Sequence, residues 1–294
     1  MEHRKIYTVI AAILGALYLY AAYNLVMSFV NGYSPDWSFL LYVLPVAAGL
    51  TGVLLFLTSR FKKSGLLRLC MCYEIMSFPF TVVFYTSYLS NNSQYNAPPP
   101  GWQFYMGALI DLLYMACCST GLWYLSKRRL PKIIYYGEGD SRVGQFEPAG
   151  AGLRFANRMV DMLMIIFILL KSFSSLQYWV NRSWFPETEG MLVMAEVILL
   201  IAYYLLFEGI FNTTAGKCAT NTTIVNEQGE KPGFAKILGR TFCRLIPFDA
   251  LSFLGAGARG WHDSIPNTYV VETVDTDEAA MHEITLDAEL NLQS

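Results

Sequence analysis

Apolar residues along the chain are grouped into six long blocks that are separated by polar segments. A helix rises 1.5 Å per residue, so about 20 residues cross a hydrocarbon core about 30 Å thick. Backbone hydrogen bonds in lipid must be satisfied within each segment, which favours α-helices. The pattern therefore predicts an all-α polytopic membrane protein with spans at 6–30, 38–58, 66–89, 102–126, 155–180 and 191–211.

A seventh apolar block, at residues 247–258, is too short to cross a bilayer. We expect it to be either interfacial or re-entrant, and the sequence leaves these alternatives open.

Basic residues occur in every second polar segment. They are present before residue 6, at 59–65, at 127–154 and after residue 211. The segments 31–37 and 90–101 have none, and 181–190 has only Arg182. By the positive-inside rule, this alternation predicts six crossings with both termini in the cytoplasm.

Composition supports a membrane protein and argues against a soluble enzyme. Hydrophobic residues make up 54% of the chain and charged residues 15%, against about 45–50% and about 25% in soluble proteins. The net charge of −2 gives no reason to expect a nucleic-acid partner. None of the six cysteines lies in a segment that we predict to be outside, so we expect reduced thiols. They also lack metal-site spacing, and we expect no metal and no cofactor.

Charge and glycine distribution suggest four regions. We predict a four-helix transmembrane region of unknown role at 1–130 and a glycine-rich cytoplasmic linker at 131–152. A domain with two spans follows at 153–272. The tail at 273–294 is acidic, and we expect it to be disordered because residues 272–294 include seven carboxylates and no Lys or Arg.

The fifth span carries charges that are costly in hydrocarbon. Arg154, Arg158 and Asp161 are separated by four and three residues, which places them on one helix face. A guanidinium one turn away favours the ionised carboxylate. Asp161 is therefore either an ion-binding or proton-accepting carboxylate with its own arginine, or part of a structural ion pair.

Other spans also contain ionisable residues. Glu74 and Asp111 are predicted to lie at similar depth in the membrane. They form either a second polar site or hydrogen bonds between helices. Lys171 and Glu196 are expected to form a salt bridge. Glu208 lies near a predicted span end, where we expect it to reach water.

The segment after the sixth span begins with a turn at Gly216 and Lys217, which lacks the pattern of a phosphate-binding loop. The β-branched run and turn residues at 222–232 predict a small cytoplasmic β-hairpin. Residues 234–246 predict an amphipathic interfacial helix, because Lys236, Arg240 and Arg244 recur on one face. We expect these cations to lie among lipid phosphates.

Five sequence elements occur in a characteristic order from about 150 to 272. They are Arg154 seven residues before Asp161, Thr214-Ala-Gly216-Lys217, Arg240 with Arg244, His262-Asp263, and Thr268-Tyr-Val-Val271. This combination resembles the RDD family of bacterial integral membrane proteins. Asn221 stands where the family often has a glycine, and asparagine also tolerates a left-handed backbone.

The resemblance implies an inner-membrane protein, with Arg154, Asp161 and Asp263 as the three residues for which the family is named. It implies a transport role, since cation/proton antiport is reported for some members. We add Arg158, Lys217, Arg240, Arg244, Asp249 and His262 as expected neighbours of this charge network.

Two functions remain open at this point. In one, Asp161 exchanges a proton for a monovalent cation while Arg154 tunes its affinity. In the other, the protein is a non-transporting membrane scaffold that recruits a partner, and Asp263 clamps Arg154 or a neighbouring arginine. Either is compatible with the phospholipid bilayer as partner and with a homo-oligomer; enzymatic activity is not expected.

Overall fold

The computed structural model describes residues 2–32, 39–94, 100–136, 143–180, 189–246, 249, 252 and 260–276. Six long helices form at the six apolar blocks. They are α1 (Glu2–Val30), α2 (Leu40–Thr58), α3 (Gly65–Gln94), α4 (Trp102–Lys127), α5 (Ala151–Val180) and α6 (Glu189–Ile210). The predicted helices are thereby confirmed.

Four of these helices, α1 to α4, are long and apolar enough to cross a membrane. Within α6, the described segment Val197–Ile210 is a shorter apolar helix. Whether α5 and α6 also cross, and on which side the termini lie, stays a prediction. The predicted loop at 90–101 starts too early, because α3 continues to Gln94.

Three short helices and five strands complete the described structure. The helices are α7 (Ala215–Thr220), α8 (Phe234–Cys243) and α9 (Trp261–Ser264). The strands are β1 (Arg129–Pro131), β2 (Ile133–Tyr136), β3 (Val143–Phe146), β4 (Thr222–Val225) and β5 (Tyr269–Asp275).

The chain forms two compact units. Unit 1 comprises Met1–Leu122 and Met162–Leu200, and unit 2 comprises Trp123–Asp161 and Ile201–Ser294. In unit 1, α1 packs on α2 through Gly49, where an added Cβ would lie 2.1 Å from the Tyr18 ring. Tyr18, Phe56 and Met71 are fully buried in this core.

A three-stranded antiparallel sheet with the order β1-β5-β4 lies in unit 2. Leu130 pairs with Val274, and Thr223 pairs with Val271. The core beneath it contains Ala149, Ile224, Ile237 and Val270. The sheet therefore joins segments that are far apart in the sequence.

These strands bear on three sequence predictions. The hairpin at 222–232 is wrong, because β4 pairs with β5 rather than with the residues after its own turn. The predicted linker at 131–152 contains a hairpin of β2 and β3. The strand β5 extends to Asp275, three residues into the segment predicted as the acidic tail. Most of block 247–258, and residues 277–294, lie outside the described residues.

Candidate functional site

Helix α7 packs unusually closely against α5. Thr214 caps its N-terminus by accepting a hydrogen bond from the Lys217 amide. Asn221 ends it with φ of 52°, the left-handed conformation expected at this position. A Cβ on Gly216 would lie 2.1 Å from the carbonyl oxygen of Asn157 in α5, so only glycine fits here.

The carboxylate of Asp161 lies against the N-terminal end of α7. Its Oδ1 accepts hydrogen bonds from the Tyr203 hydroxyl at 2.6 Å and from the Gly216 amide at 2.7 Å. Its Oδ2 accepts one from the Thr214 hydroxyl at 2.9 Å. The Ala215 amide donates in turn to the Tyr203 oxygen at 3.0 Å. Asp161 is only 3% exposed, so these contacts replace its water.

The sequence interpretation of Asp161 needs correction at this point. Its three hydrogen-bond donors are neutral groups from α6, Thr214 and α7, rather than guanidinium groups from its own helix. Arg158 lies 3.8 Å from Asp249 instead. Arg154 is buried and lines a small cavity together with Asp161. Sharing a helix face therefore does not make these three residues one ion pair.

A second carboxylate, Glu208 of α6, binds three cationic side chains. Its distances to Lys217 Nζ, Arg240 Nε and the nearest Arg244 nitrogen are 2.7, 3.2 and 2.6 Å. Arg244 contacts both carboxylate oxygens and is therefore bidentate. The expectation that Glu208 reaches water is wrong, because it is 0% exposed.

Arg240 of α8 extends this network to the acidic residue of α9. Its guanidinium donates to Asp263 of α9 and to the Thr268 hydroxyl, and its Nε donates to Glu208. Asp263 thus clamps Arg240 of α8, a neighbouring arginine of the kind that the scaffold hypothesis expects. Arg240 and its three partners, Glu208, Asp263 and Thr268, all lie within unit 2.

The amphipathic helix is present, but its orientation differs from the prediction. Arg240 and Arg244 are buried and paired within the protein, so they do not lie among lipid phosphates. The Arg244 guanidinium also stacks 3.7 Å from the Tyr204 ring centre. Phe234 and Phe242 are exposed instead. The pattern identified the cationic face correctly, but that face points inward.

Burial and charge shift the pKa values of groups beyond the helical spans. Burial lowers the pKa of Lys217, although Glu208 opposes this effect. Burial opposes the charge on Arg244, but Glu208 outweighs it and the pKa is raised. Burial likewise opposes ionisation of Asp263, while Arg240 holds its pKa below the ordinary value.

His262 joins Asp249 to the same network. Its Nδ1 lies 2.9 Å from Asp249 Oδ2, and its backbone amide donates to Asp249 Oδ1 at 3.2 Å. Burial lowers the pKa of His262 even though Asp263 and Asp249 favour the charged form. Burial opposes ionisation of Asp249, yet the contacts with His262 keep the pKa of this carboxyl below its usual range. The neutral imidazole therefore donates to the carboxylate near pH 7.

The cavity at this network has a volume of about 20 Å³. That is room for about one water molecule. It is lined by polar and charged side chains that include Arg154, Arg158, Asp161, Lys217, Arg240 and Asp263. The geometry suits a tightly paired structural site better than a route for a hydrated ion.

The remaining predicted polar residues lie elsewhere. Glu74 and Asp111 line one cavity in unit 1. Lys171 and Glu196 fall in α5 and α6, but their side chains lie outside the described part of the structure. The predicted pair of Lys171 and Glu196 therefore stays a prediction.

Sequence reasoning missed two residues that build the site of unit 2 and one buried arginine of unit 1. Asn157 donates to Thr222 and accepts from Thr220, and Tyr203 orients Asp161. Arg68, near the start of α3, is almost fully buried in unit 1. Its position within an apolar block was a usable signal. Asn157 and Tyr203 carried no comparable signal, because neutral polar residues are common in helices.

Comparison with known proteins finds a similarity for part of the chain. Residues 148–267 match the model of the RDD family. No curated protein and no solved structure matches the chain. Together with the apolar helices α1 to α4, the family match identifies a multi-pass integral membrane protein.

We expect Gly216→Ala to lower the stability of unit 2 by about 1–3 kcal/mol, because the new methyl group overlaps backbone of α5. The apparent melting temperature of the purified protein measures this loss. Gly209→Ala is the matched control, since nothing lies within 4 Å of its added Cβ. Equal melting temperatures for the two variants would contradict the close packing.

We expect Glu208→Gln to destabilise the protein by about 3–5 kcal/mol, because it leaves three buried cations without their carboxylate. Thermal unfolding in detergent is the measurement. Glu227→Gln makes the same substitution at an exposed glutamate and serves as the control. A Glu208→Gln protein as stable as this control would show that the cations do not depend on Glu208.

The lowered pKa of His262 predicts that stability falls with acidification. Below about pH 6.5 the unfolded chain binds a proton at this histidine more readily than the folded protein does. The contribution of neutral His262 to the free energy of unfolding is therefore fully present above that pH and is lost as the pH falls below it. Protonation of Asp249 and Asp263 adds a further loss below about pH 4, since their pKa values are also lowered. Melting temperatures at pH 8 and pH 5 should differ less in His262→Gln than in the wild type. An unchanged difference would exclude His262 as the cause.

Proposed function

We propose, from the RDD family match of residues 148–267, that this multi-pass membrane protein is a scaffold whose RDD segment does not itself carry ions. In this proposal Arg154, Asp161 and Asp263 are structural. They hold α7, α8 and α9 in a fixed arrangement that a partner protein can bind. The expected location is a bacterial inner membrane with both termini in the cytoplasm.

The observation that carries this proposal is the hydrogen bonding of Asp161. A carboxylate that exchanges protons and cations must be reached by water and must release its partners in each cycle. Asp161 is 3% exposed and accepts three short hydrogen bonds from fixed donors. The adjoining cavity of about 20 Å³ has room for about one water.

The charge network supports the same function. Glu208, Arg240 and Asp263 connect α6, α8 and α9 by contacts that exclude water. Buried pairs of this kind cost desolvation energy and are best attested as devices that specify one arrangement. The exposed apolar side chains Phe234, Phe242 and Ile265 suit an interfacial position for α8 and α9.

The competing function is cation/proton exchange at Asp161, and one experiment distinguishes the two. Wild-type protein and Asp161→Asn are reconstituted into liposomes that contain a pH-sensitive dye, and a Na⁺ or K⁺ gradient is imposed. We expect neither protein to move protons faster than empty liposomes. We also expect Asp161→Asn to melt at a lower temperature, because its amide nitrogen faces hydrogen-bond donors.

Glu147→Gln, at an exposed position, is the control for loss of one carboxylate. Cation-dependent proton flux in the wild type that disappears in Asp161→Asn at unchanged melting temperature would establish the exchanger and refute the scaffold.

A further inference from the structure

Unit 1 contains a much larger cavity than the charge network of unit 2. Its volume is about 330 Å³, and residues of α1, α2, α3 and α4 line it. Small-molecule sites in proteins are typically clefts of about 300–1,000 Å³ with mostly apolar walls and few polar groups. This cavity has the size and the lining of such a site.

Two carboxylates give the cavity its charge. Glu74 of α3 and Asp111 of α4 both line it, and both also line an adjoining cavity of about 40 Å³. The Tyr85 hydroxyl donates to Asp111 at 2.8 Å, which orients this carboxyl group. None of the described residues that line either cavity is basic. The polar part of the wall therefore favours a positively charged ligand.

Aromatic rings form a second part of the wall. Tyr42, Tyr73 and Tyr114 line the cavity on three different helices, beside Leu25 and other apolar side chains. Tyrosine rings attract cations through their π faces, most strongly where water is excluded. A metal ion instead requires several oxygen ligands at about 2.0–2.6 Å, and the described residues contain no group of three His, Cys, Asp or Glu side chains that could hold one.

We propose that the cavity of unit 1, bounded by Glu74, Asp111 and three tyrosines, binds a lipophilic organic cation. The apolar wall and the tyrosine rings would contact the body of the ligand, and the two carboxylates would balance its charge. This site lies outside the segment that matches the RDD family. It adds a binding activity that is independent of the scaffold role proposed for unit 2.

The first test uses the wild-type protein in lipid nanodiscs and two probes of the same shape and opposite charge. Binding of tetraphenylphosphonium and of tetraphenylborate is measured by equilibrium dialysis against nanodiscs without protein. We expect saturable binding of the phosphonium cation and at least roughly tenfold weaker binding of the borate anion. Equal binding of the two ions would mean that only apolar surface is involved, and would overturn the proposal.

Variants then assign the binding to the cavity. We expect Glu74→Gln and Asp111→Asn each to weaken phosphonium binding by roughly tenfold. Ala21→Phe keeps both carboxylates but places a large side chain at the cavity wall, and we expect it to abolish binding. Glu227→Gln, which is exposed and belongs to unit 2, should bind the cation like the wild type.

The variants also separate folding from binding. Each variant is compared with the wild type by size-exclusion profile and melting temperature, so that a binding loss is scored only for folded protein. If Glu74→Gln does not fold, the probe comparison in the wild type and the Ala21→Phe variant still decide the question. Wild-type affinity in a folded Ala21→Phe protein would place the phosphonium elsewhere and overturn the proposal.

Discussion

The buried carboxylate of Glu208 is the contact on which the arrangement of unit 2 depends. It accepts hydrogen bonds from Lys217, Arg240 and Arg244, and it is 0% exposed. Each of these cations would lose several kcal/mol of hydration if it were buried without a partner. Because they belong to α7, to α8 and to its C-cap, the segments after α6 are fixed to that helix by charge rather than by apolar packing alone.

The helices could be predicted from the sequence because the bilayer imposes a simple rule on length and hydrophobicity. Each predicted span coincides with a helix to within a few residues. The sheet could not be predicted in the same way. Its strands β1 and β5 pair Leu130 with Val274, and no local pattern specifies a partner so distant in the chain. The strand β4 was predicted, but its pairing with β5 was not.

The candidate site shows the same division between local and distant information. Helical spacing placed Arg154, Arg158 and Asp161 on one face of α5, but it could not show that Asp161 meets a helix N-terminus. The four-residue spacing of Arg240 and Arg244 identified a cationic face, yet not the buried Glu208 that covers it. A pattern on one helix shows which residues share a face. The residues that contact this face come from other segments of the chain, which the pattern does not specify.

The two units use acidic side chains in different ways. In unit 2, Asp161 and Glu208 have their oxygen atoms occupied by fixed donors, and the adjoining space is about 20 Å³. In unit 1, Glu74 and Asp111 line a space of about 330 Å³ without a basic neighbour among the described lining residues. Saturated carboxylates specify a structure, since changing their partners costs the desolvation of each group. Carboxylates that border a space of this size can contact a ligand that enters it, which is why we propose the binding site among α1 to α4.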